Sequence, residues 1–121
     1  MALPENDEQL LLLHNPNCSK SRATLELLEE RRVAFEVRHY LEDPLSKTEL
    51  ESLAERLGRS AREFVRSKES AFAEAGCGPK SSEDEILAAI SAHPILMERP
   101  ILVRGARAAI GRPPENVVEL L

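Results

Sequence analysis

Gln9-Leu10-Leu11-Leu12-Leu13-His14-Asn15-Pro16-Asn17-Cys18-Ser19-Lys20-Ser21 changes character abruptly along its length. The leucine run carries no polar alternation, which predicts a short strand, Gln9 to His14, covered on both faces. Asn15-Pro16-Asn17 then breaks it, since proline and asparagine favour turn geometry over a continuing ladder. From Ser21 to Arg32 the positions Ala23, Thr24, Leu27 and Leu28 recur at helical spacing beside Glu26, Glu29 and Glu30, so an amphipathic helix is expected. Val33 to Tyr40 alternates, with Phe35, Val37 and His39 on one side, and stops at Glu42-Asp43-Pro44. Strand, helix and strand in this order predict a parallel, right-handed βαβ unit.

The middle of the chain follows another pattern. Ser-x-x-Glu boxes at Ser46/Glu49, Ser60/Glu63 and Ser82/Glu85 each open a helix-like stretch, so residues from about 46 to 97 are expected to be helical. Gly58 and Gly76-Cys77-Gly78-Pro79 divide that stretch into short helices. Ile101-Leu102-Val103 and Ala108-Ala109-Ile110, joined around Gly105, predict a hairpin. Pro113-Pro114 then starts a final helix, Glu115 to Leu121, with Val117, Val118 and Leu121 as its buried face. The order βαβ, helices, ββα is that of an α/β, thioredoxin-like domain. It implies a four-stranded mixed sheet in one domain, residues 1–121, with a helical insertion at about 46–97.

Composition narrows the function. With 42% hydrophobic and 31% charged residues over 121 positions, the chain has the balance of a globular protein and room for one core. A net charge of -5 disfavours nucleic acid and anionic membranes as partners, while a local basic cluster remains free to hold one anion. The basic residues are twelve Arg and four Lys, and arginine is the better bidentate ligand for oxyanions. The stretch Met1 to Gln9 lacks the basic-then-apolar pattern of a secretory signal, and no window is long enough to cross a bilayer. Cys18 and Cys77 could form at most one bridge, which fits a reducing cytoplasm better than a secreted disulfide scaffold.

Cys18 lies between a strand end and a helix start, where unpaired backbone N–H groups and the helix dipole favour an anion. Lys20 and Arg22 add positive charge, so a thiolate is expected there and a reactive thiol is preferred to an inert buried one. Ser21 occupies the place of the second cysteine of a dithiol motif, so reduction must draw on an external thiol. Its hydroxyl either supports the thiolate while capping the helix or caps alone. Thr24 stands where a phosphatase loop needs arginine, which excludes that chemistry. His14 either helps to hold Cys18 as thiolate or bonds to loop backbone. His39 and His93 lack partners at metal-ligand spacing, so no metal site is expected. Cys77 is either an incidental thiol or a resolving cysteine.

Four ordered blocks carry a resemblance: His14-Asn15-Pro16-Asn17-Cys18-Ser19-Lys20-Ser21-Arg22, Tyr40-Leu41-Glu42, His93-Pro94-Ile95-Leu96-Met97-Glu98-Arg99-Pro100-Ile101 and Gly111-Arg112-Pro113-Pro114-Glu115. Together they resemble the glutaredoxin-linked arsenate reductase family from His14 onward. The resemblance implies a thioredoxin-like fold with a helical insertion, a nucleophilic Cys18, and an oxyanion pocket of Arg66, Arg99 and Arg112. It implies reduction of arsenate to arsenite, with glutathione as co-substrate, glutaredoxin as recycling partner and no bound cofactor. Of the three arginines, Arg99 is placed best, since it precedes Pro100 where thioredoxin-like folds commonly carry a cis X-Pro bond. Arg66 is placed worst, because Arg62 lies one helical turn away. Two alternatives stay open: a glutathione-linked monothiol oxidoreductase acting on another substrate, and an Spx-type regulator that binds RNA polymerase. Ser21 and the retained arginines weigh against the regulator, which typically presents Cys-x-x-Cys.

Overall fold

All five residues of Leu10–His14 are buried, as an apolar run without alternation requires. In the computed structural model, which describes residues 1–121, this strand, β1, is central. The elements that follow are α1 (Ser19–Glu30), β2 (Glu36–His39), α2 (Lys47–Leu57), α3 (Ala61–Phe64), α4 (Ser70–Glu74), α5 (Glu83–Ala92), β3 (Ile101–Arg104) and β4 (Arg107–Ile110). Turns of 3-10 helix occupy Pro94–Leu96 and Pro114–Leu120. The sheet order is β2-β1-β3-β4. β1 pairs parallel with β2 and antiparallel with β3, and β3 pairs antiparallel with β4. This is the mixed sheet of a thioredoxin-like fold.

The chain divides into two compact units. The first comprises Met1–Asp43 and Arg99–Leu121 and holds the whole sheet. Leu10 and Leu12 of β1, Leu102 of β3 and Ala109 of β4 meet Leu28 of α1, together with Val117 and Leu120, in one core cluster. Two clasps close this unit. The buried Arg38 donates from Nε to the Asp43 carbonyl at 2.9 Å and from Nη1 to the Met1 carbonyl at 2.7 Å, so its charge is compensated where it lies. Arg104 donates to the carbonyls of Asp7 at 2.7 Å and Leu120 at 2.9 Å, tying the β3–β4 hairpin to both chain ends. Gly105 allows that closure, because a Cβ there would collide with Asp7 and its φ is +54°.

The second unit, Pro44–Glu98, holds α2 to α5. Three of its four helices start where the Ser-x-x-Glu boxes place them, and α4 starts after Glu69 without one. Ser46 and Glu49 exchange reciprocal bonds of 3.1 Å, as do Ser82 and Glu85 at 3.1 and 2.8 Å. At Ser60 the Glu63 carboxylate accepts from the backbone N–H at 3.1 Å. Both carboxylate oxygens of Glu83 also accept from the N–H of Ala61, at 2.9 and 3.0 Å, so the first turn of α5 caps the start of α3.

Several boundaries differ from expectation, beginning with β1, which starts at Leu10 and not at Gln9. α1 begins at Ser19, before Ser21, because Cys18 takes the N-cap position, and it ends at Glu30. β2 is confined to Glu36–His39: Val33 and Phe35 pack on the core cluster without joining the ladder. The last segment is a 3-10 turn whose buried residues are Val117 and Leu120. A period of three brings Leu120 back over Val117 and moves Val118 and Leu121 off the buried face.

Candidate active site

The loop before α1 is held by its own asparagine. The Asn15 carboxamide oxygen accepts from Asn17 N at 3.0 Å, and its carbonyl accepts from Cys18 N at 3.1 Å. Arg22 reaches back to the Pro16 carbonyl at 2.8 Å. These bonds deliver Cys18 in extended conformation at the N-cap of α1, with no acidic residue in the first turn to compete for its N–H groups. The half-buried sulfur closes no cap bond of ordinary length. Burial pushes its pKa up. Against that, the backbone N–H of Ser21, the Arg99 side chain, the N–H of Lys20 and the charge of Arg99 all favour the anion, and the thiol lies below its ordinary value.

The backbone N–H groups of the helix start favour the anion as the sequence suggests, but the cation differs. Lys20 acts through its peptide N–H, and Arg22 is engaged with Pro16, so the cation that counts is Arg99. The Ser21 hydroxyl neither caps the helix nor faces the thiol: it accepts from Asn15 N at 3.0 Å and lies 2.7 Å from His14 Nδ1. His14 is buried and stands edge-on to His39, with ring centroids 5.8 Å apart. Its burial, then the charges of His39 and Arg22, lower its pKa, so the imidazole is held neutral. Its Nδ1 braces the Ser21 hydroxyl.

Arg99 and Arg112 are brought together by strand register. Ile101 pairs with Ile110, and the ladder continues outward with Gly111 N donating to the Pro100 carbonyl at 2.9 Å. Just beyond the ladder, Arg112 Nη1 donates to the Arg99 carbonyl at 3.1 Å. The same nitrogen lies 3.9 Å from Cys18 Sγ. The Arg99-Pro100 bond is cis, as expected, and so is Arg112-Pro113. Asn116, absent from the sequence reading, donates to the Arg112 carbonyl at 3.2 Å. Only its position four residues after Arg112, at the start of a helical turn, could have pointed to it.

Arg66 lies in the second unit, where it pairs with Glu98 at 3.1 Å and Glu69 at 3.4 Å. Its neighbour Arg62 donates to the carbonyl of Ser81 at 2.8 Å, which marks it as a loop clasp. Cys77 is half-buried in that unit, with Sγ 3.9 Å from the Glu85 carbonyl. No group of His, Cys, Asp or Glu is arranged to hold a metal ion, and no helix is long and apolar enough to cross a membrane.

Comparison with known proteins places this arrangement. The model of the ArsC family matches residues 13–120, which include Cys18, Arg99 and Arg112. The chain belongs to the ArsC family. Among relatives with family-like length, an arsenate reductase of Neisseria meningitidis is 45% identical over 115 residues, covering 93% of this chain and 98% of the relative. The Escherichia coli protein YfgD is 47% identical over 116 residues, covering 94% and 98%. The solved structure of an arsenate reductase from Vibrio cholerae superposes with a TM-score of 0.89 at 43% identity, covering 96% of this chain and all of that one (100%). The ArsC fold is thus shared over nearly the full length, from the β1–Cys18 loop to the closing 3-10 turn.

Proposed function

We propose that this chain reduces arsenate to arsenite in the cytoplasm, with Cys18 as nucleophile, glutathione as co-substrate and glutaredoxin as recycling partner. The observation that carries the reading is the juxtaposition of Arg99 and Arg112 beside Cys18. Two guanidinium groups beside the same sulfur repel, and an oxyanion between them turns that cost into attraction. With the anion's charge offset, the Cys18 thiolate attacks arsenic, forming a sulfur–arsenic bond as one oxygen leaves as water. A glutathione thiolate then attacks the Cys18 sulfur. The bonding pair stays on arsenic, which becomes arsenite, and a Cys18–glutathione disulfide remains. Glutaredoxin removes the glutathionyl group by thiol exchange and releases the Cys18 thiolate. Two thiols supply two electrons, and no bound cofactor is needed. Named arsenate reductases among close relatives support the choice of substrate.

Arg66 enters as the third anion ligand on the family resemblance alone. It already pairs with Glu98 and Glu69, so its replacement should cost least of the three. The test is arsenate-dependent turnover coupled to glutathione and glutaredoxin. Cys18→Ser should abolish it. Arg99→Ala or Arg112→Ala should slow it roughly 10²-fold, the usual loss when one preorganised donor to a developing charge is removed. Lysine at either position should recover only part, since it restores charge without the forked geometry. Folded alanine variants with wild-type turnover would remove the oxyanion pocket. Wild-type turnover of a glutathione mixed disulfide with none of arsenate would instead favour a monothiol oxidoreductase.

A further inference from the structure

We propose that Gly111 is a positioning residue for Arg112: its missing side chain lets the end of β4 close against Thr24 of α1 and Pro100, and this close approach sets Arg112 within reach of Cys18. The inference rests on the reading of Arg112 as an anion ligand. A Cβ built at Gly111 would lie 2.8 Å from Thr24 Oγ1 and 2.9 Å from Pro100 Cγ, both inside normal contact. Gly111 lies outside the left-handed region, so space and not backbone freedom excludes a side chain here. Neither neighbour can yield cheaply. Thr24 is fully buried, is β-branched and donates to the Lys20 carbonyl at 2.9 Å, while the Pro100 contact is with a ring carbon. The element that must give is therefore the β4 end, which is held there by the bond from Gly111 N to Pro100 O. Arg112 is the next residue, and its guanidinium touches both the Arg99 carbonyl and the sulfur. A side chain at 111 thus pushes Arg112 away from the anion position while leaving the N–H groups of Lys20 and Ser21, on α1, in place.

The experiment compares wild type, Gly111→Ala, Arg112→Ala and the double variant for arsenate kcat/KM, for protection of Cys18 by arsenate against alkylation, and for the pH profile of alkylation without anion. Gly111→Ala should lower kcat/KM by about tenfold or more, since misplacement by 1 Å costs up to roughly 10²-fold. It should weaken arsenate protection and shift the anion-free pH profile no further than Arg112→Ala does, since Arg112 itself lies 3.9 Å from the sulfur. In the Arg112→Ala background it should add nothing, because the residue it positions is gone. Thr24→Ala, which opens space on the helix side, should restore part of the loss in Gly111→Ala. A harmless Gly111→Ala, a loss that adds in full to that of Arg112→Ala, or an anion-free pH profile shifted beyond that of Arg112→Ala would each overturn the positioning role while leaving the oxyanion site intact. A harmless Arg112→Ala would overturn both. If Gly111→Ala does not fold, the Gly111→Ala/Thr24→Ala variant carries the same comparison. Failure of that variant to fold would make Gly111 a requirement of the fold and overturn the positioning role.

Discussion

Cys18 works against its own burial. Desolvation favours the neutral thiol, and the shift goes downward only because two peptide N–H groups and the Arg99 guanidinium are aimed at the sulfur. Its alkylation rate plotted against pH should therefore have a midpoint below the free-thiol value of about 8.5. Arg99→Ala should move that midpoint upward, as the variant removes both a hydrogen bond and a positive charge. A wild-type midpoint at or above the free value would show that the loop does not activate the thiol. The same shift bears on stability. The unfolded chain holds the Cys18 proton more tightly than the folded one, so this contribution is complete above the unfolded pKa and is lost as pH falls through the depressed folded value. His14 behaves alike one range lower: its imidazole, held neutral by burial and by two neighbouring charges, stabilises the fold above about pH 6.5 and ceases to as the pH falls.

The helices show how local chemistry sets element ends. The boxes at Ser46/Glu49 and Ser82/Glu85 satisfy N–H groups that a helix start leaves unpaired, whereas at Ser60 the first turn needs Glu83 of α5 as well. α1 starts differently, with a thiol in the cap position, and so leaves its N-terminal donors to the sulfur. Its other end is imperfect. Arg32, two residues beyond Glu30, has φ +56°, a conformation that suits glycine and costs a residue with a Cβ about 1 kcal/mol. Arg32→Gly should raise stability by about 0.5–1 kcal/mol, or roughly 4 °C in thermal midpoint. A lowered midpoint would mean that the Arg32 side chain makes contacts worth more than the backbone relief.

At the scale of the molecule the question is where the second thiol comes from. Cys18 and Cys77 belong to different units, and the Cys-x-x-Cys position next to Cys18 is filled by Ser21. The Ser21 hydroxyl is engaged with His14 and Asn15, so it is part of the loop's frame. If an external thiol resolves the Cys18 adduct, as proposed, Cys77→Ser should leave glutathione-coupled turnover within about twofold of wild type, the small effect usual for substitutions away from a site. Loss of Cys77 as damaging as loss of Cys18 would place the reductant inside the chain.

The four leucines of β1, the turn after His14, the cap boxes and the hairpin around Gly105 were legible because each is written in residues close in sequence: an apolar run, turn formers, reciprocal Ser and Glu, a glycine between short strands. Cys18 was legible for the same reason, since a strand end followed by a helix start is a local pattern. The 3-10 character of Pro114–Leu120 was not, because a period of three and one of 3.6 differ by less than one residue over a single turn. Of the thiol's partners, the N–H groups of the helix start were legible as a local pattern, and Arg99 and Arg112 only through the family resemblance. Lys20 and Arg22 are near Cys18 along the chain, but Arg99 and Arg112 reach it through the pairing of β3 with β4. Charge acts through space, and only the folded sheet decides which charges share a space. Gly111 belongs to the same class: a glycine in sequence is merely permissive, and its meaning here comes from Thr24 and Pro100, which the tertiary structure packs against it.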